Sequence, residues 1–529
     1  MQRRALRSGE SDDYAPREWT RVMRLRRGKP MKLFTKKPIG VLIAQASEEG
    51  DHTLKRGLGW PSLTLLGIGG VIGGGIFVLT GQQAALNAGP AIVLSFLLAG
   101  VICTAAALCY AELASMIPVA GSAYTYTFAT VGEFFAWLIA WDLILEYGVA
   151  AATVSAGWSG YFNRMMAEFG LTLPEAWSKA PYDYQGGEFI RVVTSTGAPT
   201  HLNIPAIFII CLMSAFLITG ITQSKIVNNL IVSLKVVLVL AVIGFGIAYV
   251  DTSLWTPLIP DHLPPSPGHP KGQFGLIGIS LAASVIFFAY IGFEGVSTAA
   301  QEAKDPQRNM PIGILLSLGI CTVLYIAMAL VIVGLAPYST LNNPAPVATA
   351  LAAIPELAWL RQIINIGVAI GLGSTILSLL YGQSRILYAM SRDGLLPPLF
   401  GKVNPKTRTP VWGTVITGGF AAIVGGLFPI GILGELVSMG TLLAFILICV
   451  AVLWLRVKEP NLPRSFKTPG IWFTAPFGVI GCGWLMYTLP PETWLRLFVW
   501  MGLGLIVYFG YAYWHSRYHE KRLAASAAE

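Results

Sequence analysis

Long apolar stretches separated by short polar ones run almost the whole length of the chain. A helix needs roughly 20 apolar residues to cross a bilayer. By that measure twelve stretches qualify: 62–86, 90–116, 131–162, 203–221, 226–250, 275–299, 312–335, 361–390, 411–428, 432–455, 472–489 and 494–514. The first carries GIGGVIGGGIFVLTG from Gly67 to Gly81, with glycine at 73, 74 and 75 in a row. Glycine costs a helix about 1 kcal/mol per residue relative to alanine, so this span is expected to break near its middle. Unpaired amides cannot face lipid, so the break must face protein or a cavity. One half-helix end then offers bare N–H groups and the other bare carbonyls, which suits a zwitterion. The competing reading is close helix packing through small residues. The sixth stretch repeats the anomaly, with Gly292 and Gly295 flanking Glu294. Two interrupted helices five spans apart predict a five-plus-five inverted repeat with a site between them.

Composition agrees with a membrane protein. Residues are 54% hydrophobic and only 12% charged, against about 25% charged in a soluble domain. No cleavable leader is expected, because no apolar run precedes the first span. The N-terminal arm up to Arg56 and the loops after even-numbered spans hold most of the 36 lysines and arginines. The positive-inside rule therefore predicts both termini in the cytoplasm. The basic segment 21–37 reads as an orientation signal touching anionic lipid, not as a nucleic-acid site. The six cysteines (103, 109, 211, 321, 449 and 482) lie within spans without CxxC spacing and read as small core residues. The predicted organisation is a basic arm over 1–60, repeats over 61–250 and 275–455, two extra helices over 470–515 and a tail over 516–529. Between them, the stretch 119–130 is expected to be an uncharged loop packed into the protein. The loop 163–202 is expected to be long, polar and on the outer side. The proline-rich loop 251–272 is expected to be extended, and 337–360 to hold a short outer helix.

Four motifs in order carry a resemblance that covers about 55–515. They are GIGGVIGGGIFVLTG in the first span, YAELASMIPVAGSAYTY at the end of the second, FFAYIGFEGVSTAAQEAKDPQRNMP in the sixth and YGQSRILYAMSRDGLLP in the eighth. They resemble the amino acid–polyamine–organocation superfamily, above all its cationic amino acid transporter branch and the bacterial amino acid permeases near it. The resemblance implies an all-α integral membrane fold with twelve helices, a leucine-transporter-like inverted repeat and two extra C-terminal helices. It implies a substrate carboxylate on the amides of Gly73, Gly74 and Gly75. It implies a substrate amino group on carbonyls of Val71 and Ile72 and of Phe288, Ala289 and Ile291. Gly74 stands where many relatives carry serine or threonine, so the anion is left to the backbone.

Lys235 is the sharpest single residue. Mid-span charge costs at least about 2.5 kcal/mol and is a functional hypothesis by default. In proton-coupled relatives a lysine here takes the place of a sodium ion, so Lys235 is the candidate proton carrier. The alternative is a permanently charged tether to carbonyls of spans 1 and 8. Glu146, deep in span 3, borders the pocket by the resemblance, or else serves structural bonding. Glu294 reads as a gate or packing residue, Glu112 and Arg385 as packing and gating residues, and Phe288 as a lid. Small residues around Ser374 to Leu379, Ser378 among them, are expected to shape side-chain specificity.

The function expected is proton-coupled transport of L-amino acids across the cytoplasmic membrane of a bacterial cell by alternating access. An exchanger of cationic amino acids or polyamines, or a non-transporting amino acid sensor, remains the alternative. No cofactor, metal or nucleic-acid partner is expected, and no catalytic constellation supports an enzyme.

Overall fold

The computed structural model describes residues 33, 35–37, 57–117, 122–185, 188–219, 225–266, 271–405, 407 and 409–516. Most of the basic arm, and the tail from 517, lie outside the described residues. The first span opens as α1 (Trp60–Val71), with proline near its start, where a missing amide costs nothing. Helix ends at Ile72, whose ψ of 100° is extended. It resumes through Gly75–Leu79, Thr80–Gln83 and Ala84–Ala88. There follow α2 (Ile92–Met116), α3 (Ser122–Thr130), α4 (Glu133–Glu168), α5 (Ile204–Thr219) and α6 (Lys225–Gly246). The second half runs α7 (Gly275–Ile286), α8 (Pro306–Leu335), α9 (Pro346–Ala352), α10 (Ala358–Arg392), α11 (Val411–Leu427) and α12 (Ile430–Lys458). Two more long helices, α13 (Ile471–Thr488) and α14 (Pro491–Val507), follow. After α7 the backbone tightens to a 3-10 turn at Phe287–Tyr290, opens at Ile291 and reverses at Gly292 before a second 3-10 segment, Phe293–Glu302.

Among the described residues, eight helical stretches are long and apolar enough to cross a membrane, and three shorter apolar helices accompany them. The protein is a multi-pass membrane protein. Its outward surface agrees: Leu230 is 70% exposed, Phe473 74% and Ile506 70%. An apolar exterior on that scale would drive association in water, whereas lipid tails accept it. The centre is formed by α4 and α10, which lie along each other, and by α8 against α1 and α2. The two interrupted elements are also tied at their far ends: Gly57 and Leu58 amides donate to Glu302 O, and Lys304 N donates to Leu58 O.

Several expectations from the sequence need correction. The stretch 119–130 is a helix over Ser122–Thr130, held within the protein, and 118–121 lie outside the described residues. Its tyrosines and threonines suggested a loop, but burial favours a backbone that satisfies its own amides. The loop 163–202 contains a hairpin of β1 (Tyr182–Gln185) and β2 (Glu188–Arg191). The proline-rich loop is not simply extended: it starts with a 3-10 turn at Thr252–Trp255 and folds back where Leu263 pairs with Gln273. Cys211 is exposed, unlike the other five cysteines, and so is no core residue.

Glu112 anchors one end of the bundle. Arg456 Nε and Nη2 each meet its carboxylate at 2.9 Å, Arg464 Nε lies 3.2 Å away and Thr468 N donates at 2.8 Å. Glu112 is 1% exposed. Removing one partner of a buried pair costs about 3–5 kcal/mol, because the other charge stays buried. Glu112→Ala is therefore expected to lower the melting temperature of the detergent-purified protein strongly. Ion-pair loss at exposed Lys179–Glu175 is expected to leave it nearly unchanged.

Candidate functional site

The two breaks meet. A Cβ built on Gly75 would overlap Ala289, and one on Gly70 would sit 2.9 Å from Gly292 O. Only hydrogen at these positions permits such an approach. The junction encloses a narrow cleft lined by Gly70, Val71, Gly73, Gly74 and Gly75 of the first span. Phe288 and Ile291 line it from the sixth, Ala150 and Val154 from α4, and Thr375 and Leu379 from α10. Among the described residues no charged side chain lines it. The space holds roughly one water-sized sphere. At the start of the resumed helix Phe77 N bonds Gly73 O at 3.4 Å, and the amides before it have no preceding turn to bond.

Lys235 lies behind this cleft, 1% exposed. Its Nζ donates to Gly69 O at 2.9 Å and to Thr375 Oγ1 at 2.7 Å. Thr375 Oγ1 in turn lies 3.5 Å from Ile72 O, at the break itself. The lysine is thus tied to the first span and to a residue of the cleft wall. Val71 O and Ala289 O both lie within hydrogen-bond reach of the Tyr325 hydroxyl, at 2.6 and 3.0 Å.

Of the residues singled out from sequence, Val71, Gly73, Gly74, Gly75, Phe288 and Ile291 share the cleft wall. Ile72 and Ala289 sit at the breaks but do not line it. Glu146 does not line it either. It is buried beside Asp142 and Glu294, one helical turn from Ala150. Ser378 is exposed and its hydroxyl donates to Ser374 O of its own helix. Glu294 turns back to accept from Gly292 N at 2.8 Å, satisfying an amide that the break orphans. The Arg385 guanidinium lies 4.2 Å from the centre of the Tyr381 ring. The lining residues that sequence reasoning missed are Gly70, Ala150 and Val154, while Thr375 and Leu379 fall within the Ser374 to Leu379 stretch expected to shape specificity. Stepping four and eight residues on from Glu146 reaches Ala150 and Val154. Thr375 and Leu379 share the same spacing on α10. Among the described residues no group of three metal-ligating side chains occurs.

A family model described as "Amino acid permease" matches residues 58–509. The chain belongs to the amino acid permease family. The resemblance to the amino acid–polyamine–organocation superfamily therefore holds. The permease is 45% identical over 484 residues to the methylthioribose transporter of Bacillus subtilis, covering 92% of this chain and 98% of that protein. It is 42% identical over 489 residues to the branched-chain amino acid permease BcaP of Bacillus subtilis, covering 92% and 99%. It is 36% identical over 424 residues to the vacuolar cationic amino acid transporter 2 of Arabidopsis thaliana, covering 79% of this chain and 62% of that protein. Family and relatives together make the permease a transport protein and not an enzyme.

Proposed function

We propose that the permease is a secondary active transporter that moves neutral L-amino acids by alternating access, coupled to protons through Lys235. The observation that carries the proposal is the cleft at the two breaks, with Lys235 bonded to Thr375 in its wall. Backbone amides beginning at Gly73 suit the substrate carboxylate, and break carbonyls suit its ammonium. A cleft this tight admits an amino acid only when its walls part, as alternating access requires. In this reading α1 and α7, each with its continuation, count as single spans. With α2, α4, α5, α6, α8 and α10–α14 they make twelve. Residues 61–250 and 275–455 are the inverted repeats, 470–515 the added pair, and both termini are cytoplasmic in a bacterial inner membrane.

The remaining wall is Ala150, Val154, Phe288, Ile291 and Leu379, and it favours an aliphatic side chain. Burying a cationic side chain there costs at least about 2.5 kcal/mol, or at least about sixtyfold in affinity. A branched-chain substrate, as in the relative named for it, agrees with that wall better than a cationic one. Methylthioribose has neither carboxylate nor ammonium, and so would leave the break amides and carbonyls unused.

The test is uptake of labelled leucine into proteoliposomes under an imposed pH gradient, acidic on the side of entry. Accumulation that collapses with the gradient and is competed by valine and isoleucine, not by arginine or putrescine, is expected. Saturable binding without accumulation under any gradient would identify a sensor. Accumulation of methylthioribose but of no amino acid would overturn the substrate assignment.

A further inference from the structure

Tyr325 of α8 does not line the cleft, yet its hydroxyl is the one side-chain group hydrogen-bonded to both breaks among the described residues. It is fully buried. Its ring is fixed between Phe96 and Tyr290, with centroids 5.5 and 5.6 Å away. From there Oη sits 2.6 Å from Val71 O, the last carbonyl of α1, and 3.0 Å from Ala289 O in the turn before Gly292. Both carbonyls lie at C-terminal ends of half-helices, where the backbone dipole concentrates partial negative charge. A phenol has one proton to give. It serves one of the two carbonyls at a time, and the other is left a donor short. An ammonium group brings three donors.

We infer that Tyr325 is a positioning residue for the substrate ammonium: it holds Val71 O and Ala289 O around one point, so that an amine arriving in the cleft meets both. This deepens the amino acid reading above and rests on it. The residue acts through the two carbonyls and does not itself contact the substrate.

Tyr290 supplies the control. Its ring packs against Tyr325, it is equally buried, and its hydroxyl donates to Phe96 O of α2 at 2.8 Å, away from the breaks' carbonyls. Tyr325→Phe and Tyr290→Phe each delete one buried hydroxyl and keep the ring. In proteoliposomes, inhibition of labelled leucine uptake is measured with unlabelled leucine and with its 2-hydroxy acid analogue, which lacks the ammonium. The preference for amine over hydroxyl is the readout, and it is independent of the fraction of active protein. Tyr325→Phe is expected to reduce that preference about tenfold, the size of one hydrogen bond to a charged group. KM should rise with maximal rate little changed, and Tyr290→Phe should keep the preference within about twofold. An unchanged preference in Tyr325→Phe, or an equal loss in both variants, would overturn the inference while leaving amino acid transport intact. A wild-type protein that does not distinguish the two compounds would instead overturn the ammonium reading itself. If Tyr325→Phe transports too slowly, the same ratio is read from thermal stabilisation of the purified protein by each compound.

Discussion

Replacing Lys235 by alanine is expected to abolish accumulation driven by a pH gradient while substrate counterflow stays measurable. Nζ holds Gly69 O and Thr375 Oγ1, one on the helix that breaks three residues later and one in the wall of the cleft. A protonated amine has three donors and no acceptor; a neutral one has fewer donors and a lone pair. Gain or loss of a proton there changes what the lysine can hold. In the proposed coupling, that change shifts the relation between the first span and α10. Hydrogen bonds to a charged group are worth about 1.5–3 kcal/mol, so losing them should change the equilibrium between states by roughly 10- to 100-fold. Counterflow needs no return of the unloaded carrier, so it should tolerate the loss better than net uptake. Lys235→Met, which fills more of the space, separates charge from volume and is expected to behave like the alanine variant. Gradient-driven accumulation at wild-type level in both variants would show that Lys235 is only a tether, and the proton proposal would fall.

The membrane-spanning character was readable because length and apolarity are one-dimensional signals, and the breaks because glycine is rare in a helix for a local reason. Lys235 stood out for the same cause: a charge amid valines and leucines needs no partner on view to be conspicuous. What the chain could not disclose was direction. Around α4 nearly every position is apolar, so no periodicity marks Ala150 and Val154 as the inward face. Ser378 was attractive as a small hydroxyl in the right span, yet three residues away Thr375 has the inward position and Ser378 the outward one. Tyr325 carries no local signature at all, because a tyrosine in an apolar span reads as packing until the two carbonyls above its hydroxyl are seen. Burial similarly turned 122–130 into a helix where composition suggested a loop.

Gly292→Ala is expected to eliminate transport and to lower thermal stability. Gly292 has φ of +120°, a conformation L-residues adopt at a cost of about 1–3 kcal/mol. Space compounds the strain, since a Cβ there would overlap the carbonyl carbon, oxygen and Cα of Gly70. These are backbone atoms of the facing half-helix, so no rotamer change relieves the contact. The two breaks would have to separate, and the cleft wall they share would separate with them. The neighbouring glycines make the effect specific. A Cβ on Gly295 meets nothing within 4 Å, so Gly295→Ala should transport like wild type. Gly74 is the instructive intermediate. Its added Cβ would make only ordinary contacts, 3.5 Å from Val154 Cγ2 and 3.7 Å from Phe288 Cε1. Gly74→Ala should therefore fold normally and raise KM by narrowing the cleft, the signature of a position kept open for a ligand. Purified Gly292→Ala that melts with the wild type and takes up leucine with an unchanged KM would show that the close approach of the two breaks is dispensable. The binding site would then have to lie elsewhere.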